Sequence, residues 1–252
     1  MVTSVGFAPV KGTRHASYDA VTLDERGPVG DRAFCLVDVS RRHVLRTVQN
    51  PSLLAVLSRW NGDSLQLALP SGDQATAAPE RSGERLTCDY WGRDVALELL
   101  DGPHGRLASS YLGVPVRLAA APPGGVVYGA AVSLVSRASL RWLADRLERP
   151  ALLDEAARFR TTLVVDAGDE PFLEETWAGR VVRVGAARIR VNESIPRCAV
   201  VDLDPATGVR TARILEVLAS RAGAPSTDLA FGMDAHVVSP GVVRPGDAVE
   251  TV

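Results

Sequence analysis

Residues 86–102 read LTCDYWGRDVALELLDG, and this stretch indicates the fold class most clearly. It holds short apolar runs separated by turn residues, which is the pattern of strands joined by tight turns. The same pattern recurs upstream in FCLVD (34–38) and LQLALPSGD (65–73). We therefore expect the chain from Thr3 to about Leu100 to form strands and hairpins.

The pattern changes after this region. We expect a short helix at 104–112 and a strand at 116–119, followed by the Pro/Gly-rich stretch APPGG at 121–125. A domain boundary is predicted in that stretch, and it divides the chain into domains 1–120 and 121–252.

The second half also combines strands with helices. AVSLV (131–135) is a predicted buried strand, and SRASLRWLADRLE (136–148) is a predicted helix with Ser136 as its N-cap. FRTTLVV (159–165) is β-branched and strand-like, and RVVRVGAARIRV is expected to form a hairpin that turns at Gly185.

TARILEVLASRAG (211–223) predicts a further helix that ends at Gly223. In the tail, AHVVSPGVVRPGDAVETV (235–252), two Pro-Gly pairs separate Val-rich segments, which favours a closing pair of strands in a barrel. The predicted fold class is therefore mainly β with α (α+β), with an N-terminal β-barrel-like subdomain followed by a second β-barrel with peripheral helices.

Composition and charge narrow the function classes. The chain has 252 residues, 46% hydrophobic and 23% charged, and its net charge of −2 provides no strong field for nucleic acid or an anionic membrane. The N-terminus lacks the apolar core of a signal peptide, and no apolar run approaches the roughly 18 residues of a membrane span. We expect a cytoplasmic protein that binds neither nucleic acid nor membrane.

Common catalytic motifs are absent. The sequence has no GxSxG, GxGxxG or GxxxxGK[ST] motif, and its three cysteines include no CxxC pair. The histidines show no metal-ligand spacing, and each is expected at the surface or in a loop: His15, His43, His104 and His236.

Cys198 lies in SIPRCAVVDLDPATG, directly after Arg197. A cationic neighbour favours a thiolate, and a soft thiolate suits a transition metal. On the residues alone, however, a buried structural cysteine is favoured over a ligand. Asp202 and Asp204 follow closely; they suit a proton relay, but DPATG is also a turn, and the structural role is favoured.

Four other residues suit an anionic ligand. Arg32 and Arg160 carry planar guanidinium groups that bind phosphate bidentately, Lys11 precedes a glycine that permits close approach, and Ser136 stands at a predicted helix N-terminus. Taken singly, each has an ordinary interpretation as a solvated or ion-paired cation or as a helix cap.

Taken together, these segments resemble the MOSC superfamily, whose N-terminal barrel typically reads YPVKS and then RGxxGDRxWMLVD. The segments that carry the resemblance span nearly the whole chain: APVKG (8–12), GPVGDRAFCLVD (27–38), VSLVSRASL (132–140), RFRTTLVV (158–165), PRCAVVDLDPATG (196–208) and PGVVRPGDAV (240–249). In pattern the chain is similar to the mitochondrial amidoxime-reducing component and its bacterial relatives, where a cysteine before DPxTG binds molybdenum.

The resemblance implies a molybdenum cofactor (molybdenum-molybdopterin) with Cys198 as the metal ligand and catalytic residue. It implies these cofactor-binding residues: Lys11, Arg32, Ser136, Arg160, Thr162 and Arg197. The chain departs from the family pattern at four positions, where it lacks a hydroxyl, an arginine, an asparagine and a serine respectively: Gly12, Val48, Thr162 and Pro196. Each departure removes a hydrogen bond or a charge that the family pattern offers to the cofactor.

The implied activity is reduction of an N-oxygenated small-molecule substrate, such as an amidoxime, hydroxamic acid or hydroxylated nucleobase. Some bacterial relatives add a four-cysteine iron–sulfur domain, which this sequence lacks, so electrons are expected from a separate electron-transfer protein. Two alternatives remain open: a module that carries sulfur or cofactor on Cys198, and a binding protein that no longer holds the metal.

Overall fold

Strands dominate the computed structural model, which describes residues 1–221 and 229–252. About 41% of the residues lie in strands and 20% in helices, which confirms the mainly β fold class with α. The strands, in chain order, are β1 (Val2–Phe7), β2 (Ala16–Tyr18), β3 (Val21–Asp24), β4 (Gly27–Pro28), β5 (Phe34–Asp38), β6 (His43–Val44), β7 (Leu57–Trp60), β8 (Leu65–Ala68), β9 (Gln74–Ala77), β10 (Glu80–Tyr90), β11 (Arg93–Asp101), β12 (Arg117–Ala120), β13 (Val132–Ser136), β14 (Leu163–Val165), β15 (Val181–Val184), β16 (Ala187–Pro196), β17 (Ala230–Ser239), β18 (Gly241–Val243) and β19 (Val249–Thr251).

The helices are short. The α-helices are α1 (Pro103–Leu112), α2 (Arg137–Arg146) and α3 (Ile214–Ala219). The 3-10 helices are Pro51–Ala55, Pro150–Asp154, Ala156–Phe159, Leu173–Trp177 and Ala199–Asp202. In the part of the chain that is described, no helix is long and apolar enough to cross a membrane.

A closed barrel forms from five strands in the order β10-β11-β12-β5-β6. Its β10–β11 hairpin is the one that residues 86–102 predict: Tyr90 pairs with Arg93 across a turn at Trp91 and Gly92. Both turn residues have positive φ, 57° and 74°, which is the backbone of the two-residue turn that matches strand twist. The N-terminal barrel prediction is confirmed.

The larger sheet contains eight strands in the order β19-β15-β16-β17-β13-β14-β1-β2. Its β1 and β2 come from the N-terminus, since Val5 pairs with Leu163 on one side and with Tyr18 on the other. In the same way β3 pairs with β18 of the tail. The chain boundary predicted at 120/121 falls between β12 and β13, but the first strands of the chain belong with its second half.

The tail differs from prediction. Its two strands do not pair with each other, because β18 pairs with β3 and β19 pairs with β15. FRTTLVV is a strand only from Leu163, since Phe159 ends a 3-10 helix and Arg160 has a left-handed φ of 51°. Helix α3 ends at Ala219, and Gly223 lies outside the described residues.

Helix α2 begins as predicted. The Ser136 side chain accepts a hydrogen bond from the Ser139 backbone N–H at 3.0 Å, so Ser136 is the N-cap. Leu140 and Leu143, one turn apart, are fully buried against the sheet. The helical spacing of the leucines was therefore enough to predict α2 from the sequence.

The histidine prediction is wrong for His104. This side chain is fully buried at the start of α1, where its Nε2 lies 2.7 Å from the Leu65 carbonyl oxygen. His15 is half-buried in a loop, with its Nε2 buried, and His43 and His236 are exposed. The spacing of histidines along the sequence can indicate a metal site, but it does not indicate whether a histidine side chain is buried. Burial depends on long-range packing.

Candidate functional site

A cleft of about 410 Å³ lies where the N-terminal segment meets the second half of the chain. It gathers side chains from sequence positions far apart, including Lys11, Arg32, Arg160, Arg197 and Cys198. These are five of the residues that the sequence singled out. Further walls come from residues 127–131, 193–196 and 200–201, with Ser133, Arg158, Phe159 and Asp234.

Two of the arginines stand on left-handed backbone. Arg32 has a φ of 48° and Arg160 a φ of 51°, a conformation that non-glycine residues adopt only at a cost. Arg32 donates to the Asp31 carboxylate at 2.5 Å, and Arg160 donates to the Thr13 carbonyl at 2.7 Å. These contacts hold both guanidinium groups beside the cleft.

Three arginines of the cleft each have one buried nitrogen without a hydrogen-bond partner among the described residues. These atoms are Arg32 Nε, Arg160 Nη2 and Arg197 Nη2. Arg197 uses its other nitrogens on the carbonyls of Phe231 and Phe159, at 2.7 and 2.9 Å. A buried donor left unpaired is costly, and a phosphate or an oxygen-rich ring accepts from such groups. The donor set therefore fits an anionic ligand.

The positive charges in the cleft repel one another. Burial, and after it the Arg32 cation, lowers the pKa of Arg160 to about 10, and burial lowers the pKa of Arg197 to about 10. Both stay charged at neutral pH. Burial, followed by Arg32 and Arg160, lowers the pKa of Lys11 well below its usual 10.5. An anion in the cleft would relieve this repulsion.

Cys198 is an exposed free thiol on the wall of this cleft. It follows the end of β16 and directly precedes the 3-10 helix Ala199–Asp202. The other two cysteines, Cys35 and Cys88, are buried. The interpretation of Cys198 as a buried structural cysteine, which its residue context favoured, is therefore wrong.

Asp202 and Asp204 have structural roles. Asp202 is fully buried and accepts from Arg210 at 2.6 Å and from the Leu215 backbone N–H at 3.1 Å. Asp204 Oδ1 accepts from the backbone N–H groups of Ala206 and Thr207, which closes the DPATG turn. Since their oxygens are engaged in these bonds, the structural interpretation is supported over a proton relay.

Arg158 supports the segment that follows Cys198, and sequence reasoning missed it. Its side chain is fully buried and donates to the Leu203 carbonyl at 2.5 Å and to Thr211 Oγ1 at 2.8 Å. Its Nε pairs with the Glu155 carboxylate. An arginine two positions before Arg160 carries no local signal of burial, so only the packing identifies its role.

The DPATG turn also depends on Gly208. This glycine has a φ of +76°, and a Cβ placed on it would lie 2.1 Å from the Pro51 carbonyl oxygen. We expect Gly208→Ala to lower the free energy of unfolding by about 1–3 kcal/mol more than Gly72→Ala. Gly72 has a similar φ of +94° but nothing within 4 Å, so it isolates the cost of the backbone conformation. If urea unfolding gave equal losses of free energy for the two variants, the clash with Pro51 would be contradicted.

Two predicted site residues lie outside the cleft. Ser136 is buried, and its hydroxyl is used as the α2 cap while its N–H donates to Glu174 at 3.0 Å. Thr162 is also buried, and its N–H and hydroxyl bond to Ser133. Neither lines the cleft, and their contact with the cofactor stays a prediction. Ser133, which Thr162 supports, does line it, although the sequence analysis did not select it.

Among the four departures from the family pattern, Gly12 has a local explanation. Gly12 has a φ of +91°, and a Cβ there would lie 3.0 Å from Leu53 Cδ1, so this backbone favours glycine. Val48 is 41% exposed, and Pro196 lines the cleft at the end of β16. Asp234 and Tyr128 also line the cleft; both lie in segments without a recognisable motif, so no signal pointed to them.

A metal site made only of protein ligands is not present in residues 1–221 and 229–252. No group of three or more His, Cys, Asp or Glu side chains is placed to hold a metal ion there. A metal bound at Cys198 would have to bring most of its ligands with it. A cofactor that carries its own sulfur ligands and an anionic tail meets that condition.

Two family models match the chain. The MOSC domain matches residues 112–250, and the MOSC N-terminal beta barrel domain matches residues 1–115. Among curated proteins, the chain is 32% identical over 93 residues to "Molybdenum cofactor sulfurase 2" of Culex quinquefasciatus and 30% identical over 94 residues to "Molybdenum cofactor sulfurase" of Bombyx mori. These matches cover 34% and 36% of this chain, but only 12% and 11% of the relatives.

The chain is also similar to parts of two solved structures. The YUAD protein of Bacillus subtilis is 13% identical with a TM-score of 0.44, and the match covers 99% of this chain and 93% of that one. YiiM of Escherichia coli is 22% identical with a TM-score of 0.35, and the match covers 48% of this chain and 54% of that one.

Proposed function

The chain belongs to the MOSC domain family, and on that premise we propose that it is a molybdenum-cofactor-dependent reductase of N-oxygenated small molecules. In this proposal the cofactor occupies the arginine-lined cleft and Cys198 is the protein ligand to molybdenum. The relatives named as molybdenum cofactor sulfurases support the link to this cofactor, although the chain spans only about an eighth of their length.

One observation carries the proposal. An exposed thiol and four cationic side chains converge on a single cleft, and three of the cations each keep a buried donor without a partner. A thiolate ligand and an anion-binding wall are the two features that a metal-bearing pterin phosphate requires. In the described contacts, no hydrogen bond occupies the Cys198 thiol or the unpaired arginine nitrogens.

Each residue has a separate task. Arg32 and Arg160 would bind the phosphate or pterin oxygens through the free nitrogens, and Lys11 would add a third positive charge. Arg197, held by the carbonyls of Phe159 and Phe231, would orient the adjacent Cys198 and pair with the cofactor through Nη2. When bound, the cofactor would supply the two-electron redox chemistry that removes the substrate oxygen.

The substrate would enter from the solvent side of the cleft, where Tyr128 is 63% exposed. A cleft of about 410 Å³ suits a small molecule and excludes a folded polymer. In this proposal the electrons come from a separate electron-transfer protein. The carboxylates of Asp202 and Asp204 are engaged structurally, so this proposal assigns neither of them as the proton donor.

The direct test is to produce the protein in a host that makes the cofactor and to measure molybdenum and pterin per chain. The purified protein is then given an amidoxime, a hydroxamic acid or a hydroxylated nucleobase, with a reduced dye as electron donor. We expect near-stoichiometric metal and formation of the amino product. Protein without metal, or with metal but with no reduction of any of the three classes, would overturn the reductase.

The anion-binding wall gives a prediction for Arg160→Gln. Loss of this cation removes a charged donor to the bound phosphate, so we expect cofactor affinity to fall about tenfold or more. Pterin retained after gel filtration measures this loss. Arg141→Gln is the matched control, since Arg141 is a surface arginine paired with Asp169. Equal retention in both variants would contradict the assignment of Arg160.

The pKa of Lys11 is directly measurable, because Lys11 is the only lysine of the chain. Labelling with ¹³C-lysine gives one side-chain Cε signal, and its pH titration reports the pKa. We expect a value well below 10.5 that rises in Arg32→Gln, because that variant removes a neighbouring cation. Since only the protonated amine attracts an anion, affinity for the cofactor should fall as pH rises through this pKa. If the pKa of Lys11 were unchanged in Arg32→Gln, the proposed electrostatic coupling between Arg32 and Lys11 would be contradicted.

A carrier function is the second candidate. The exposed position of Cys198 and the sulfurase names of the curated relatives favour a protein that holds sulfur or cofactor for delivery. Such a carrier would bind the cofactor and release it to an acceptor protein without reducing an N-oxygenated substrate. The metal and activity measurements above separate the two candidates.

A further inference from the structure

A second cavity of about 290 Å³ lies apart from the cleft. Its walls come from β1, from His15 and Ser17, from the first residue of α2, from residues 153–157 and from β14. The two spaces share no lining residue, although they are neighbours along the chain: Arg160 lines the cleft and Thr161 lines the cavity. Nothing in the proposed reductase uses this cavity.

Two polar atoms at the cavity have no hydrogen-bond partner within residues 1–221 and 229–252. Thr161 is 3% exposed, and its Oγ1 is buried without a hydrogen bond. His15 Nε2 is also buried without a hydrogen bond of good geometry, although the backbone of Gly6 and Thr161 lies close enough to the ring to raise its pKa slightly against the effect of burial. Burial, followed by the Arg160 and Arg32 cations, lowers the pKa of His15 to about 3, so the ring is neutral at physiological pH. The site thus offers neutral hydrogen-bonding groups that a polar ligand satisfies.

Two charged side chains complete the wall. Arg137 and Asp154 both line the cavity. Arg137 is half-buried and Asp154 is exposed, and within residues 1–221 and 229–252 neither forms an ion pair or a side-chain hydrogen bond. A guanidinium and a carboxylate that share one small cavity without pairing are complementary to a ligand that carries both charges. A simple anion would match Arg137 and meet repulsion from Asp154.

We propose that this cavity is a second small-molecule site, for a zwitterion of amino-acid size. Its carboxylate pairs with Arg137, its ammonium pairs with Asp154, and its polar side groups bond to Thr161 and His15. The site requires neither molybdenum nor a redox partner. The inference therefore stands apart from the proposed function and is tested on the metal-free protein.

The test is a calorimetric titration with free L-serine, L-asparagine and glycine, beside acetate and ethylamine as single-charge probes. Backbone amide shifts of Gly6 and Thr161, followed by NMR, localise the binding. We expect at least one amino acid to bind, with acetate and ethylamine weaker by about tenfold or more. Arg137→Gln and the isosteric Thr161→Val should each weaken binding of that amino acid by a similar factor.

Arg141→Gln is the control, because it removes a guanidinium from the same helix without touching the cavity. It should bind the amino acid as the wild type does. The proposal is overturned by absence of binding of all three amino acids, by acetate binding as tightly as they do, or by equal affinity in the wild type and both cavity variants. Measured molybdenum content has no bearing on any of these results, so failure here leaves the reductase untouched.

Discussion

Cys198→Ser is expected to lower reduction of N-oxygenated substrates at least about a hundredfold, because even outer partners of a metal ligand contribute factors of that order. The serine keeps the size and position of the side chain at the end of β16 and replaces the soft sulfur by a hard oxygen. Molybdenum content and turnover, measured on the same preparation, check the prediction.

The controls for this variant are Cys35→Ala and Cys88→Ala. Both cysteines lie in the barrel core and neither lines the cleft, so these variants should lose some stability and keep their metal content. Wild-type turnover in Cys198→Ser would remove Cys198 from the proposed mechanism. Metal loss in all three variants would instead indicate a general folding defect.

Arg158→Met is expected to lower the free energy of unfolding by about 3–5 kcal/mol, which is the usual cost of breaking a buried ion pair by removing one partner. The change leaves the Leu203 carbonyl without its donor and weakens the anchor of Glu155. Because Leu203 lies in the turn that follows Cys198, we also expect weaker cofactor retention. Urea unfolding and pterin content measure the two effects.

Arg141→Met is the matched control for this variant. Its ion pair with Asp169 is at the surface, and such pairs contribute little to stability. An Arg158→Met protein as stable as Arg141→Met would show that the buried network around Arg158 is not a stabilising one. Normal stability with lost cofactor would place Arg158 directly in the ligand site instead.

The sequence by itself determined the local elements. The turn residues at 91–92 select a hairpin, and the leucine spacing after Ser136 selects a capped helix, because each signal acts over only a few residues. The resemblance to a known family also selected Cys198 and most of the cationic residues that the cleft brings together.

Only the tertiary structure decided which strands pair and which side chains share a space. No local signal places β1 beside β14, because strand pairing over such a separation depends on the packing of the whole sheet. Local sequence also could not distinguish Ser136, which was predicted as a ligand, from Ser133, which was not. Both are serines in β13, but the pleat of the strand places Ser133 at the cleft and Ser136 at the cap of α2. Arg158 and Arg160 are likewise two residues apart and both line the cleft, but packing makes Arg158 an internal support, whereas Arg160 keeps a buried nitrogen without a partner among the described residues.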